Sequence, residues 1–208
     1  VAGGGPWRDE YSRRAGTVHL GGTLEEVAAA EEAVARGRMP ARPFVLVGQQ
    51  YLADPSRSAG DLHPVWAYAH VPHGHPGNVT ELIVDQIERF APGFRMRVAA
   101  RHIRTVARIS AANPNYVGGD IATGAMTGLQ TLFRPRIALD PYATGVPGVF
   151  LCSAATPPGP GVHGMCGYNA ALAALRHLRR GGRTWRQAAR SRAYCQKTRS
   201  TRAPTARE

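Results

Sequence analysis

The 208-residue sequence lacks most features of a secreted or membrane-spanning protein. Its three cysteines, Cys152, Cys166 and Cys195, form an odd set without paired spacing, which favours a reducing compartment over a disulfide scaffold. No apolar run reaches the length of a membrane span, and no signal peptide is visible. We therefore expect a protein that is neither secreted nor transmembrane. Its expected location is the bacterial cytoplasm or, in a eukaryote, the mitochondrial matrix.

Acidic residues are missing from the last third of the chain, where none lies between Asp140 and Glu208. Residues 176–208 hold eleven Lys or Arg against one acidic residue, so they carry most of the formal net charge of +12. The rest of the chain is nearly neutral, which weakens a nucleic-acid interpretation of the whole protein. We predict a basic, disordered tail over residues 181–208, without stable nucleic-acid binding. Weak contact of this tail with a membrane surface stays open.

Hydrophobic patterning predicts an α/β fold of the mixed α+β kind, in which helices pack on an open sheet. Residues 1–22 are rich in glycine and mixed in charge, and are expected to be irregular. Thr23 and Glu26 have the spacing of a capping box, which predicts a helix that ends at Gly37. The further predicted elements are strands over residues 43–50 and 65–71 and an amphipathic helix over residues 80–90. Residues 96–109 suit either a strand or a helix.

A strand, a glycine-rich loop and a helix are predicted in succession near the C-terminus. Val149–Cys152 is β-rich and apolar, and Tyr168–Leu178 carries Ala and Leu at helical spacing. The loop between them contains Gly159, Gly161, Gly164 and Gly167. This arrangement places free backbone N–H groups and the positive end of a helix dipole against an anion. A glycine-rich turn needed only for packing the helix on the strand is the alternative.

Gly159, Gly161 and Gly164 match the G-x-G-x-x-G spacing of the dinucleotide fingerprint. That fingerprint also needs an acidic residue about 20 positions later and a second parallel strand, and this sequence offers neither. The stretch is therefore predicted to close a nucleotide-binding domain rather than to open one. Cys152 in the strand and Cys166 in the first turn of the helix are predicted to be packing residues, with Cys152 buried.

The segment PGVFLCSAATPPGPGVHGMCGYNAA resembles the C-terminal flavin-contact segment of the phytoene desaturase-like FAD oxidoreductases, in the carotenoid-desaturase and amine-oxidase superfamily. The resemblance continues upstream through GQQYLADP, WAYAHVPHG, QIERFAPGF, NPNYVGGDI and LFRPRIALDPYATGVPG, and covers residues 16–178. The family's N-terminal glycine-rich βαβ unit is missing from this chain. The resemblance therefore implies the C-terminal part of a longer enzyme, and a start at Val1 rather than Met fits a fragment or a non-standard start.

The implied fold is a partial two-domain FAD-oxidoreductase fold: a substrate-domain sheet with helices, followed by the closing strand, loop and helix of the FAD domain. The expected boundaries are an irregular segment over 1–22, a portion of the substrate-binding (cap) domain over 23–138, an FAD-binding segment over 139–180 and the tail over 181–208. The expected activity is transfer of a hydride from a C–H bond of an apolar substrate to flavin N5. No side-chain nucleophile is needed for this reaction, so no catalytic side chain is assigned.

The resemblance also implies which residues contact the cofactor, FAD. The cofactor set is Ser153, Ala154, Thr156, Gly159, Gly161, Val162, His163, Gly164 and Met165. Two features depart from the family pattern. There is no carboxylate near Ser153–Thr156 to bind ribityl hydroxyls, and Pro160 replaces a position that is more often glycine and so removes one N–H donor.

A second loop, NPNYVGGD, is the candidate for the substrate side. The substrate set is Asn115, Tyr116, Gly118 and Gly119, with His73 at the end of a predicted strand. The alternative is a tight connection whose glycines adopt positive φ. The expected partners are a small apolar substrate and an electron acceptor of unassigned identity, and a homo-oligomer stays open. The alternative function is a non-catalytic or basic module that binds nucleic acid or another anion.

Two other kinds of site are not expected. A metal site is not predicted from His63, His70, His73 and His75, because their spacing fits no standard finger and no Cys or acidic residue lies among them. A hydrolase triad of Ser153, His163 and Asp120 is not expected, because LCSAA lacks the glycines of a nucleophile elbow.

Overall fold

A computed structural model describes residues 1–126 and 128–181 of the chain. The chain divides into two compact units, Val1–Ile121 and Ala122–Glu208. The domain boundaries expected after residues 22, 138 and 180 stay predictions. The predicted basic tail lies outside the described residues, apart from Gly181.

The first unit contains a three-stranded antiparallel sheet in the order β1-β2-β3. The strands are β1 (Thr17–Leu20), β2 (Val45–Gly48) and β3 (Trp66–Ala69). Val18 of β1 pairs with Val47 of β2, and Val45 pairs with Ala69 of β3. Alternate residues therefore share one face, which is apolar and buried because side chains repeat every two residues along a strand. The strands predicted over residues 43–50 and 65–71 are confirmed with narrower bounds.

Several helices accompany this sheet, and α3 contacts all three strands, so the predicted mixed α/β fold is confirmed. Those of the first unit are α1 (Glu10–Arg14), α2 (Leu24–Ala35), α3 (Thr80–Phe90), α4 (Phe94–Arg97) and α5 (Val106–Ala112). Short 3-10 turns lie at Gln50–Leu52, Pro55–Arg57 and Val117–Gly119. The capping box is confirmed: Glu26 N donates to Thr23 Oγ1 at 3.3 Å, and Thr23 N donates to Glu26 Oε2 at 3.0 Å.

The core of the first unit forms where α3 packs on the apolar face of the sheet. Ile87 is 1% exposed, and Val45 and Val47 are fully buried. The remaining buried members of this core are Trp7, Val18, Leu20, Ala91 and Phe94. Burying each large apolar side chain stabilises the fold by about 1.5–3 kcal/mol, so this cluster fixes the position of α3.

Two sequence predictions for the first unit need correction. Residues 1–22 are not irregular throughout, because they contain α1 and β1. A strand as short as β1 is specified by its partner β2 as much as by its own residues, and this pairing is invisible to local patterning. The ambiguous residues 96–109 belong to α4 and α5 at their two ends, with irregular backbone over residues 98–105.

The second unit contains α6 (Leu129–Leu132) and a long helix, α7, over residues 165–181. The helix predicted at Tyr168–Leu178 is thus confirmed and begins three residues earlier. Its small residues Ala170 and Ala173 lie one turn apart and are buried against Tyr142. The Tyr142 hydroxyl donates to Pro157 O at 2.9 Å, so the start of α7 and the loop before it share one packing centre.

The strand predicted at Val149–Cys152 is reduced to a single β-bridge between Phe150 and Ala143. Two backbone hydrogen bonds flank this bridge, from Leu151 N to Tyr142 O at 2.7 Å and from Thr144 N to Val149 O at 3.3 Å. A ladder needs a regular neighbour to continue, and the segment around Ala143 offers one bridge position before the backbone turns. Cys152 is consequently exposed, which corrects its prediction as a buried strand residue.

Candidate functional site

A shallow cavity of about 170 Å³ lies at the start of α7 in the second unit. Six of the nine residues predicted to contact a cofactor line it: Ser153, Ala154, Gly159, Gly161, His163 and Gly164. The other lining residues are Cys152, Pro160, Cys166 and Gly167. We call residues 152–164 the cavity loop. None of the lining residues is acidic, so the wall of this cavity does not repel an anion.

The other three predicted residues have different surroundings. Thr156 is fully buried, and its hydroxyl donates to Ser153 O at 2.7 Å. Val162 and Met165 are exposed but do not line the cavity. Thr156 therefore supports the cavity loop from within, and the roles of all nine residues toward a cofactor stay predictions.

Local hydrogen bonds hold the first half of the cavity loop in a compact turn. Ser153 Oγ accepts from Ala155 N at 2.9 Å, and Ser153 O accepts from Thr156 N at 2.9 Å. Gly159 N then donates to Thr156 O at 2.8 Å. Such side-chain bonds to nearby backbone are typical of Ser and Thr in turns. These bonds join residues 153–159 to one another, so the loop itself holds the shape of this turn.

Unused backbone donors lie at the first turn of α7. Met165 N donates to His163 Nδ1 at 3.0 Å, and Tyr168 N donates to Gly164 O at 3.0 Å. Between them, the N–H groups of Cys166 and Gly167 have no acceptor among the described residues. Free N–H groups and the positive end of a 17-residue helix favour an anion or a carbonyl oxygen at this position.

Cys166 connects the helix to the cavity loop. Its side chain is buried, as predicted for a packing residue. Its Sγ lies 3.4 Å from Thr156 O and 3.3 Å from Gly159 O. Gly167, one residue on, packs closely as well, since a Cβ there would lie 3.4 Å from Cys152 Sγ.

A buried arginine, Arg134, lies beside this loop, and no sequence motif identifies it as a functional residue. Arg134 is 1% exposed, and its guanidinium donates to Ala154 O at 3.0 Å. A Cβ at Gly159 would lie 3.9 Å from Arg134 Cζ. Arg134 lies in the segment LFRPRIALDPYATGVPG of the family resemblance, but its local sequence does not distinguish it from a surface arginine.

In the first unit, the structure brings His73 and Gly118 of the predicted substrate set together. Gly74 N donates to Gly118 O at 3.0 Å, and a Cβ on Gly118 would lie 2.2 Å from His73 Nε2. Gly118 and Gly119 have φ of +62° and +80°, so the expectation of positive φ is confirmed. Tyr116 is half-buried and Asn115 is exposed. None of these residues lines a cavity of about 420 Å³ in this unit, which is formed by Asn78, Arg101, His102, Ile103, Thr105 and Arg108.

The remaining histidines make separate contacts. His63 Nδ1 lies 2.8 Å from Ser58 Oγ, and its ring stacks on Tyr51 with the centroids 4.4 Å apart. His70 Nδ1 lies 2.8 Å from Glu31 Oε1. Within residues 1–126 and 128–181, no group of three His, Cys, Asp or Glu side chains is placed to hold a metal ion. In the same residues, no helix has the length and apolar character needed to cross a membrane.

The second unit thus presents a cavity bordered by a glycine-rich loop and the first turn of a long helix. Two curated relatives bear the name pyridine nucleotide-disulfide oxidoreductase domain-containing protein 2. The protein from Mus musculus is 39% identical over 98 residues, which are 47% of this chain and 17% of the relative. The protein from Rattus norvegicus is 30% identical over 158 residues, which are 70% of this chain and 27% of the relative. No family model matches the chain, and no solved structure matches it.

These relatives support an oxidoreductase family in general. Their names do not specify a phytoene desaturase-like enzyme. The chain spans 17% and 27% of their lengths, so it corresponds to a minor part of each.

Proposed function

We propose that this chain supplies one wall of the cofactor site and a substrate-side loop of an FAD-dependent, phytoene desaturase-like oxidoreductase. One observation carries the proposal. Six residues chosen from the family resemblance surround a single cavity at the N-terminus of α7. The oxidoreductase names of the relatives agree with it at a coarser level.

The residues present fit a flavin nucleotide. Gly164 has a φ of +67° and no atom within 4 Å of a Cβ built on it, so the backbone at this point is open to a ligand. The N–H groups of Cys166 and Gly167 are available donors. Either the diphosphate or the pyrimidine edge of a flavin offers the oxygen acceptors that these groups need.

The size of the cavity limits what this chain does by itself. About 170 Å³ is less than the roughly 300–1,000 Å³ of a typical small-molecule site. The cavity loop and α7 therefore form one side of a larger site. In proteins of the relatives' length, other parts of the chain can form the rest of the site, since this chain covers 27% or less of each relative.

In this proposal, the side chains and backbone of this chain bind and orient the cofactor and shield it from water. The bonds of Ser153 and Thr156 hold the cavity loop in shape, and the first turn of α7 supplies positive potential beside the cavity. When bound, a flavin supplies an acceptor at N5 for a hydride from a substrate C–H bond. The His73–Gly118 contact and Tyr116 are the proposed substrate side, for a small apolar molecule. The electron acceptor, an oligomeric state and the compartment stay predictions.

The proposal is tested by an absorption spectrum of the longest chain that the gene encodes, recorded before and after addition of FAD. We expect flavin bands that remain with the protein through gel filtration and bleach on reduction. A protein that stays colourless at high FAD concentration would refute the proposal. Salt-dependent binding of a nucleic acid would in that case favour the alternative of a basic binding module.

A further inference from the structure

Arg134 is a buried cation that is hydrogen-bonded to the cavity loop at Ala154 O. We propose that Arg134 is a positioning residue, which fixes the cavity loop through Ala154 and places a permanent positive charge behind the cavity. This inference rests on the proposed function, because the charge is assigned to an anionic cofactor. Arg134 lies in the LFRPRIALDPYATGVPG segment of the family resemblance, but neither the resemblance nor the names of the relatives assign it a role.

The guanidinium is held mainly by main-chain carbonyl groups. The contacts of Nη1 are Gly124 O at 3.4 Å, Ala125 O at 3.2 Å and Met126 Sδ at 2.7 Å. The contacts of Nη2 are Ala122 O at 2.8 Å, Thr123 O at 3.5 Å and Ala154 O at 3.0 Å. Thr123 has a φ of 56°, a left-handed conformation that costs free energy in a residue with a side chain. The backbone of residues 122–126 is thus wrapped around the guanidinium at a cost to itself.

The positive charge of Arg134 is not neutralised by an acid within the described part of the chain. Its six contacts there are carbonyl oxygens and one sulfur, with no carboxylate. Its Nε is buried and has no hydrogen-bond partner among residues 1–126 and 128–181. A buried ion normally requires a counter-charge, and carbonyl dipoles replace one only in part. The residual positive potential favours an anion nearby.

The cavity adjoins Arg134 through two of its wall residues and is where we place that anion. Ala154 and Gly159 line it, and both adjoin Arg134: Ala154 through its carbonyl, and Gly159 through a Cβ position 3.9 Å from Cζ. The same Cβ position lies 3.1 Å from Met126 Sδ, so a side chain at residue 159 would press on the group that Arg134 holds. Arg134 therefore supports two wall residues without lining the cavity itself.

Two substitutions separate the charge of Arg134 from its shape. Arg134→Met keeps an unbranched side chain but removes the charge, whereas Arg134→Lys keeps the charge but loses the planar fork. Arg136→Met is the matched control, because Arg136 is exposed and donates to Ala143 O at 2.7 Å away from the cavity. Each variant is made in the longest encoded chain. The measurements are the Kd for FAD, the midpoint potential of the bound flavin and the thermal midpoint of the apoprotein.

We expect Arg134→Met to weaken FAD binding by at least about tenfold, the effect of losing hydrogen bonds from a charged group. We also expect a more negative midpoint potential, because the anionic reduced flavin loses a nearby positive charge. Arg134→Lys should restore the potential and only part of the affinity, and Arg136→Met should match the wild type. A merely structural role would change the thermal midpoint and leave the potential unmoved.

The outcomes of this experiment are separable. Wild type and Arg134→Met with equal Kd and equal potential would overturn the inference and leave the proposed function intact. If Arg134→Met does not fold, Arg134→Lys decides: weaker binding at an unchanged potential supports the inference, and unchanged binding overturns it. A wild-type protein that binds no FAD would overturn the proposed function. It would also overturn the role of Arg134, because that role rests on the proposed function.

Discussion

Trp7 and Gln49 are joined by a buried hydrogen bond, in which the indole Nε1 donates to Gln49 Oε1 at 2.8 Å. The amide group of Gln49 donates in turn to Ser12 O at 2.9 Å and Ala15 O at 2.8 Å. Gln49 is 1% exposed, so these bonds are shielded from water. One side chain that follows β2 therefore holds the indole of Trp7 and the C-terminal end of α1.

Replacing Gln49 by Leu should destabilise the first unit by about 2–4 kcal/mol, because it leaves the buried Trp7 N–H and two part-buried carbonyl groups without partners. The measurement is urea unfolding followed by tryptophan fluorescence. Gln50→Leu is the matched control, since the neighbouring glutamine is exposed. Equal losses in the two variants would contradict this account.

Gly119 is expected to be sensitive to any side chain. A Cβ there would lie 2.8 Å from Val106 Cγ1 and 3.3 Å from Val106 Cα, in addition to the φ of +80°. Gly119→Ala should cost about 1–2 kcal/mol for the left-handed backbone and about 1–3 kcal/mol for overpacking.

The control for Gly119 is Gly74→Ala, which isolates the backbone cost. Gly74 has a φ of +69° and no atom within 4 Å of its Cβ position. The free energies of unfolding of both variants are compared with the wild type. The steric explanation is wrong if Gly74→Ala loses as much stability as Gly119→Ala.

The sequence was informative wherever a few neighbouring residues determine the backbone. The pair Thr23 and Glu26 predicted a capping box, and apolar spacing predicted α3 over its observed residues. Glycine at residue 164 likewise predicted a turn before α7. In each case the determining contacts lie within about four residues, which is the range that local patterning covers.

Features that depend on distant partners were missed. The role of Gln49 requires Trp7, 42 residues away, and β1 requires β2. Arg134 is an arginine by sequence and a buried ion only because residues 122–126 wrap around it. The strand predicted at Val149–Cys152 was wrong because a strand also depends on its neighbour. Its own residues favour a strand, but the neighbouring segment pairs with it at a single β-bridge, between Ala143 and Phe150.

Glu88 links stability to acid pH. Its carboxylate accepts from Arg95 N at 3.0 Å and from Gly93 N at 2.7 Å, across the turn between α3 and α4. The hydrogen bond from Arg95 N is the largest cause that lowers the pKa of Glu88, and burial opposes it. Because the folded pKa is lower than the unfolded one, the stabilisation is complete above the unfolded pKa of about 4.3 and is lost as pH falls through the folded pKa.

Glu88→Gln should therefore lower the free energy of unfolding at pH 7 and have little effect once the pH lies below the folded pKa. The measurement is chemical unfolding at a series of pH values from neutral to strongly acid. Glu32→Gln is the control, because Glu32 forms only a surface ion pair with Arg36. A loss of stability that is the same at every pH would show that the carboxylate charge is not involved.

Cys152 should report on ligand binding at the cavity. It is exposed and lines the cavity, whereas Cys166 is buried. In a Cys195→Ser background, a small maleimide should modify Cys152 and leave Cys166 unmodified. At FAD ten times above its Kd, the reaction should slow about tenfold, because only the free protein reacts.

Mass spectrometry of the labelled peptides measures this reaction. Cys152→Ser should abolish labelling, and Cys166→Ser should not change its rate at Cys152. An unchanged rate at saturating FAD would place the cofactor away from this cavity.

Gly164 offers the sharpest test of the cavity, because a methyl group can be added there without touching the protein. Its Cβ position has no atom within 4 Å and lies in the cavity wall, so Gly164→Ala should fill space that a ligand needs. We expect FAD binding to weaken by about 1–3 kcal/mol, which is about 5- to 150-fold in Kd.

Gly148→Ala is the matched control: Gly148 has a φ of +80°, an equally open Cβ position and no place in the cavity. Both variants should lose similar stability, because both place a side chain on left-handed backbone. Calorimetric titration with FAD then separates them, and equal Kd values for the two would mean that the cavity at α7 is not where the cofactor binds.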